Sequence, residues 1–155
     1  NFVKYNWKAK YYIFKYIKME ILKIIWVYGV GFITLLILDY IWLWVVTKDF
    51  IIREFWNLVL VENGSIKINL TAGLIAWAVI SILVVTFVTF QFEWYGNILM
   101  YGALIGFLSY GMYDLTNLTF IQNYSLKFTL VDIAWGTFAC SMVALSSYSF
   151  YNFIK

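Results

Sequence analysis

The sequence predicts an all-α integral membrane protein: a bundle of four transmembrane helices preceded by a basic N-terminal interfacial helix. Two observations carry this prediction. The 155 residues are 64% hydrophobic and only 12% charged, whereas a soluble domain is about 25% charged. The charges are also clustered, which leaves four long segments that are almost free of charge. About 20 apolar residues are enough for a helix to cross the hydrocarbon core.

The first element is a basic amphipathic extension, residues 1–23, with six Lys against one Glu. At helical spacing, four of the lysines fall within an arc of about 80°. This pattern is typical of a helix that lies on an anionic membrane surface and binds lipid headgroups. A merely solvated positive tail is the alternative. The candidate headgroup-binding residues are Lys4, Lys8, Lys15 and Lys18.

Residues 24–155 are predicted to form one four-helix membrane domain. Its spans are expected at about 24–47, 68–92, 98–120 and 126–149. The connection between the first two spans is charged, with a possible short surface helix near 50–61 and a turn at 62–65. Two short turns, near 93–97 and 122–125, predict that the second, third and fourth spans are antiparallel neighbours.

Basic residues predict the sidedness of the chain. Seven Lys lie on the side of the N-terminus and C-terminal tail, against four Lys or Arg on the other side. Because basic residues are enriched on the cytoplasmic side, both termini are expected on the cytoplasmic or matrix side.

Three aspartates are predicted to lie in one layer of the membrane. Counted from the residues that flank the spans, Asp39 lies nine residues before Lys48, Asp114 eight before Gln122, and Asp132 seven after Ser125. At 1.5 Å per residue these depths are about 10–14 Å. A buried carboxylate is costly in lipid, so each should face protein or water. We expect at least one to be protonated at neutral pH.

Polar and small residues follow the same helix faces. Asn117 lies one turn after Asp114 and completes the predicted intramembrane polar layer. Gly102 and Gly106 match the small-xxx-small pattern of close helix contacts, and Gly136 lies one turn after Asp132. We therefore expect these three glycines to be helix-packing residues.

The residue inventory lowers the expectation of an enzyme. There is no His and only one Cys, Cys140. Haem, iron–sulfur and ordinary zinc sites lack ligands within the chain, and nucleophilic catalysis lacks an imidazole base. We predict no catalytic residues, no metal and no cofactor beyond bound phospholipid such as cardiolipin. No nucleic-acid module is found.

Three segments resemble the signatures of a known family. They are Leu38-Asp-Tyr-Ile-Trp42 followed by Lys48-Asp49-Phe50, then residues 110–118, YGMYDLTNL, and residues 130–137, LVDIAWGT. They are similar to the predicted bacterial membrane proteins called domain of unknown function 2177, over about residues 24–150. The resemblance implies four helices and aspartates that belong to the family pattern, but no activity. Residues of the same segments are candidate supports of the aspartate layer: Trp42, Tyr110, Tyr113 and Trp135.

Three functional hypotheses remain open, of which the third, an integral membrane enzyme that uses an Asp pair as acid and base, has no nucleophile or cofactor signal to support it. The first is a non-catalytic subunit of a larger membrane assembly, an accessory subunit of a protist mitochondrial respiratory complex in the inner membrane. An AT-rich residue choice, the start at Asn1 and the basic extension motivate it. Its partners would be lipids and other membrane subunits. The second is a stand-alone transporter or proton- or cation-conducting protein that uses Asp39, Asp114 and Asp132. A bacterial plasma membrane is the alternative location.

Overall fold

The structure is a computed structural model that describes residues 6–55, 61–62 and 65–155, with side chains described except at 6–9 and 65. Within these residues, four helices are long and apolar enough to cross a membrane. They cover Lys10–Val46, Leu70–Thr89, Tyr95–Phe120 and Leu126–Ile154. The predicted all-α class and its four spans are confirmed.

Helix α1 runs from Asn6 to Ile41 and continues as a π-helical turn over Trp42–Val46. It has no break near residue 23, so the basic segment and the first span share one helix. Sequence reasoning divided them by charge, but charge alone does not interrupt a helix that lacks Gly or Pro at the boundary. Lys4 lies outside the described residues, as does the Lys8 side chain.

The connection after α1 contains two short elements. Helix α2 covers Lys48–Glu54, and strands β1, Val61–Glu62, and β2, Ser65–Ile66, pair antiparallel. The predicted surface helix therefore begins earlier than residue 50. It also ends earlier than predicted, at Glu54, and Val61 belongs to β1; residues 56–60 lie outside the described residues.

Three antiparallel helices complete the chain. Helix α3 covers Leu70–Val84 and continues as a π-helical turn over Val85–Thr89. Helices α4, Tyr95–Phe120, and α5, Leu126–Ile154, follow. Side-chain caps begin α3 and α5: Asn69 accepts from the Ala72 N–H and Ser125 from the Phe128 N–H. Such caps satisfy N–H groups that a helix start leaves free.

The helices do not pack equally. Helix α5 is central, with close contacts to α4 along their length and to α1, whereas α3 packs mainly on α1 and touches α4 little. The predicted pairing of the second and third spans is thus weak. The bundle has a distal end, where α1 and α4 end and α3 and α5 begin, and a proximal end, where α3 and α5 end and α4 begins.

Glycines account for the close approach of α4 and α5. A Cβ on Gly102 would lie 2.8 Å from the Ala144 Cβ, and one on Gly106 would clash with the Gly136 carbonyl group. A Cβ on Gly136 would enter the Tyr110 ring. Because glycine has no side chain, the two backbones can approach to this distance.

Candidate functional site

A polar cavity of about 440 Å³ lies at the distal end of the bundle. This volume falls within the range of about 300–1,000 Å³ that is typical of ligand pockets. All four spanning helices contribute, with α2 and the α4–α5 turn at the mouth. Its lining residues are Asp39, Trp42, Leu43, Phe55, Trp77, Tyr110, Tyr113, Asn117, Ile121, Tyr124, Phe128, Asp132 and Trp135.

Asp39 anchors the wall that α1 and α5 form. It is only 4% exposed, and it accepts a hydrogen bond of 2.8 Å from the Trp135 indole N–H. The Trp77 indole of α3 also lies beside this carboxyl group. Trp135 stacks in parallel on Trp42, with ring centroids 4.3 Å apart. Three helices thus meet around one carboxyl group.

Asp114 and Asp132 form a pair of carboxyl groups between α4 and α5. Each lies six residues from a distal helix end, Phe120 or Leu126, so their depths match at about 9 Å. The two side chains are neighbours between α4 and α5. Asp132 lines the cavity, whereas Asp114 is fully buried behind it.

Tyr124, in the turn between α4 and α5, closes this pair toward the surface. Its hydroxyl donates to Asp114 Oδ1 at 2.8 Å and accepts from the Asn117 amide at 3.4 Å. Burial, and then the hydrogen bond to Asp114, raise the pKa of the Tyr124 hydroxyl. It therefore stays protonated and available as a donor.

Two polar groups of the site lack a partner among the described residues. They are Asp114 Oδ2 and the Trp42 indole Nε1, both buried. The Trp42 N–H lies beside Asp132 without hydrogen-bond geometry. An unsatisfied buried polar group costs about 1–3 kcal/mol, so these two groups mark places where a proton, water or ligand would be stabilised.

A π-helical turn positions Trp42. The backbone N–H and the hydroxyl of Thr47 both donate to the Trp42 carbonyl, at 2.8 and 2.7 Å. One extra residue in the turn rotates the following side chains relative to a regular helix. Such turns occur often at functional sites, and hydrophobic periodicity gives no sign of this one.

The mouth of the cavity is built by α2, which sequence reasoning did not connect to the site. The Ser125 hydroxyl donates to the Glu54 carboxylate. Phe55 contacts the rings of Tyr124 and Phe128, with centroid distances of 5.0 and 4.7 Å. The segment after the first span therefore folds back over the start of α5.

No basic residue neutralises the carboxyl groups within the described part of the chain. None of the lining residues is Lys or Arg, and the two ion pairs there are Lys23–Glu20 and Lys67–Glu62. Lys48 lines a separate apolar pocket, and Lys127 is exposed. In the same residues, no three acidic, His or Cys side chains converge as a metal site would require.

An apolar layer separates the cavity from the proximal end. Buried residues of α1, α3 and α5 form it, among them Leu35, Val88 and Val143. Beyond the layer, Thr89 and Ser147 share a hydrogen bond of 2.8 Å. A second cavity, of about 300 Å³, lies there, lined by Thr89, Phe90, Phe92, Glu93, Tyr148, Tyr151, Asn152 and Lys155. The bundle thus has a polar cavity at each end.

The structure brings most of the predicted layer and its supports to one cavity. Asp114 lies behind the wall, the three glycines lie at the α4–α5 interface, and the described basic residues Lys15 and Lys18 are exposed and remote from it. Sequence reasoning missed the lining residues Trp77, Phe55, Tyr124 and Phe128. Trp77 lies seven residues after the start of α3, so counting depth from that end would have found it.

Comparison with curated proteins and with solved structures finds no match to this chain. Comparison with protein families finds one whose profile covers all three aspartates and leaves out the basic segment 1–23. This family is described as Predicted membrane protein (DUF2177), its profile matches residues 24–149, and the chain belongs to it.

Proposed function

We propose that this membrane protein binds a small positively charged solute in the distal cavity and carries it across the membrane. The observation that carries the proposal is the lining: two carboxyl groups, Asp39 and Asp132, and no basic residue among the described lining positions. In a low-dielectric membrane such a cavity attracts cations and excludes anions.

The arrangement of the bundle supports transport rather than binding alone. Two cavities at opposite ends are separated by the apolar layer around Leu35 and Val88. Helices α1 and α3 both contribute to this layer, and each of them continues as a π-helical turn. A barrier between two polar cavities is what a carrier needs in order to keep a solute from leaking. Asp-to-Asn replacement of the cavity carboxyl groups should abolish flux.

Thiol accessibility tests the charge preference without knowledge of the solute. The parent is Cys140→Ala, because Cys140 is the single cysteine and is fully buried. Asn117→Cys is added in the cavity, and Gln122→Cys at an exposed turn is the control. We expect the cationic methanethiosulfonate MTSET to react about tenfold faster than the anionic MTSES at Asn117→Cys, after normalisation to Gln122→Cys.

Neutralising variants complete this test. Asp132→Asn and Asp39→Asn should each reduce the preference for MTSET at position 117, because the cavity loses a negative group. Asp49→Asn, which lies on α2 outside the cavity lining, should not. Equal rates for the two reagents at Asn117→Cys with both carboxyl groups intact, or a faster reaction with MTSES, would refute the proposal.

A second candidate function is a non-catalytic subunit of a larger membrane assembly, for which we propose a mitochondrial respiratory complex. It is supported by the first part of α1, where every side chain from Lys10 to Met19 is exposed, including Tyr12, Phe14 and Tyr16. Helix Lys10–Val46 has 37 residues, or about 55 Å at 1.5 Å per residue, which exceeds the hydrocarbon thickness of about 30 Å.

Native gels of source membranes separate the two candidates. A subunit migrates with a large complex, and deletion of residues 1–19 releases it. Migration of the intact protein only as a small species would contradict the second candidate. On this proposal both termini face the matrix or cytoplasm, which protease protection of a C-terminal tag tests.

A further inference from the structure

The distal cavity is aromatic as well as acidic. Besides its two carboxyl groups, it is lined by three Trp, three Tyr and two Phe side chains. Trp135 both donates to Asp39 and stacks on Trp42, so the carboxyl group and the ring faces are held together. Carboxylate and aromatic faces around one cavity are the combination that recognises organic ammonium groups.

The lining favours an organic cation over a bare metal ion. A dehydrated metal ion requires several converging oxygen ligands, and no three acidic, His or Cys side chains of the described residues converge in this way. An ammonium group with carbon substituents, in contrast, interacts with ring faces as well as with carboxylates. The ring faces contribute about 0.5–2 kcal/mol per cation–π contact, depending on desolvation.

The unpartnered Trp42 N–H adds a second requirement. It belongs to a lining residue, is itself buried, and makes no hydrogen bond among the described residues, although the Asp132 carboxyl group lies beside it. A ligand with an oxygen acceptor near its ammonium group would satisfy this donor. Choline and ethanolamine have this arrangement, with two carbons between the nitrogen and the oxygen.

A lateral cleft makes two sources of such a group possible. A cavity of about 240 Å³ between α3 and α4 shares Trp77, Tyr110, Tyr113 and Asp132 with the distal cavity. Its other lining residues are Ala76, Ile80 and Ser109, and α3 and α4 have few contacts with each other. A headgroup could therefore enter from the lipid side, and a free amino alcohol from the mouth.

We propose that the distal cavity is a recognition site for an amino-alcohol ammonium group of the choline or ethanolamine type, either free or as a lipid headgroup. The proposal rests on the proposed function, since it names the class of cation that the cavity takes. Asp39 and Asp132 bind the charge, the stacked Trp42 and Trp135 pack on its carbon substituents, and the Trp42 N–H donates to its oxygen.

Binding to the purified full chain tests the free source. Titration calorimetry is done with choline and with 3,3-dimethylbutan-1-ol, its neutral isostere of nearly the same shape. We expect choline to bind at least tenfold more tightly, and Asp132→Asn to remove this difference. Trp42→Phe should weaken choline more than tetramethylammonium, because both lose part of the ring face but only choline has an oxygen that accepts from the Trp42 N–H. Trp26→Phe, at a 63% exposed position of α1, is the matched control.

Lipid retention tests the headgroup source. The protein is purified from vesicles of equal parts phosphatidylcholine, phosphatidylethanolamine and phosphatidylglycerol, and retained lipids are counted by native mass spectrometry. A lipid site predicts retention of the choline or ethanolamine lipid, its loss in Asp132→Asn, and no calorimetric signal for free choline. A site for the free amino alcohol predicts that choline binds more tightly than its neutral isostere and that no lipid is retained selectively.

The failures of the two proposals are distinguishable. If neither choline nor its lipids bind selectively while MTSET still reacts faster at Asn117→Cys, the ligand class is wrong and the cation cavity stands. If the MTSET preference is also absent, both proposals fail. Equal binding of choline and its neutral isostere refutes the free source, and equal retention of the three lipids refutes the headgroup source.

Discussion

The contact between α4 and α5 leaves no room for a methyl group at Gly106, and Gly106→Ala tests this directly. A Cβ at this position would lie 2.7 Å from the Gly136 carbonyl carbon and 2.9 Å from the Cys140 Cβ. The first neighbour is backbone, which cannot change rotamer, so the helices must separate. Overpacking of this kind costs about 1–3 kcal/mol.

Gly29→Ala is the matched control, because a Cβ there would meet nothing within 4 Å. It removes the same backbone freedom without a clash and should stabilise α1 by about 0.5–1 kcal/mol. Because this gain is common to both variants, they are expected to differ by the overpacking cost, about 1–3 kcal/mol in free energy of unfolding.

Cys140 supplies the assay. It is the single cysteine and is 0% exposed at the α4–α5 interface, so a thiol-reactive dye reports unfolding. Dodecyl sulfate is titrated, and the midpoint of Cys140 labelling is compared among the variants. Gly106→Ala should unfold at a lower detergent fraction than wild type and Gly29→Ala at the same or a higher one. Coincident midpoints for the two variants would refute the close-packing argument.

Three further predictions concern hydrogen bonds. Trp135→Phe leaves Asp39 Oδ1 without its donor and should cost about 1–3 kcal/mol in the same titration; no loss would show that Trp77 alone satisfies Asp39. A double-mutant cycle of Thr89→Val and Ser147→Ala should give a coupling energy of about 0.6 kcal/mol, typical of such bonds in membranes; a value of zero contradicts the buried bond. The folded state raises the pKa of Tyr124 above its ordinary 10.0, so it binds this proton more tightly than the unfolded chain does. Its contribution to stability is full below about pH 10 and is lost as the pH rises toward the folded-state pKa. Tyr124→Phe should therefore flatten the fall in stability above about pH 10, and an unchanged slope would argue against the contact with Asp114.

Hydropathy was sufficient to predict the four spans, and the aspartate layer was predicted from depth. Charged residues or short polar turns bound the apolar segments, and a helix has a fixed rise per residue, so counting from Lys48, Gln122 and Ser125 gives the expected depth of each aspartate. The short turns near 93–97 and 122–125 predicted that the helices they join are antiparallel.

Helix neighbours were harder to predict than helix order. A short turn requires its two helices to meet only at the end that the turn joins. Helices α3 and α4 have few contacts with each other beyond that end. The contact between α5 and α1 depends on side-chain pairs far apart in sequence, such as Thr34 with Ser146 at 2.9 Å. No local pattern encodes such a pair. The π-helical turns were missed because one inserted residue leaves the composition of a span unchanged.

The position of the cleft that joins the distal cavity follows from the sizes of the side chains at two interfaces of α4. Where α4 meets α5, Gly102, Gly106 and Gly136 let the backbones touch. Where α4 faces α3, the large side chains of Tyr110 and Trp77 lie on the two sides of a cleft. One close interface and one wide interface on the same helix leave a cleft on the α3 side of α4, which shares Trp77, Tyr110, Tyr113 and Asp132 with the distal cavity. The carboxyl group of Asp132 lines that space, whereas Asp114, on α4, lies fully buried. A change that filled the α4–α5 interface would therefore alter the cavity without touching any residue that lines it.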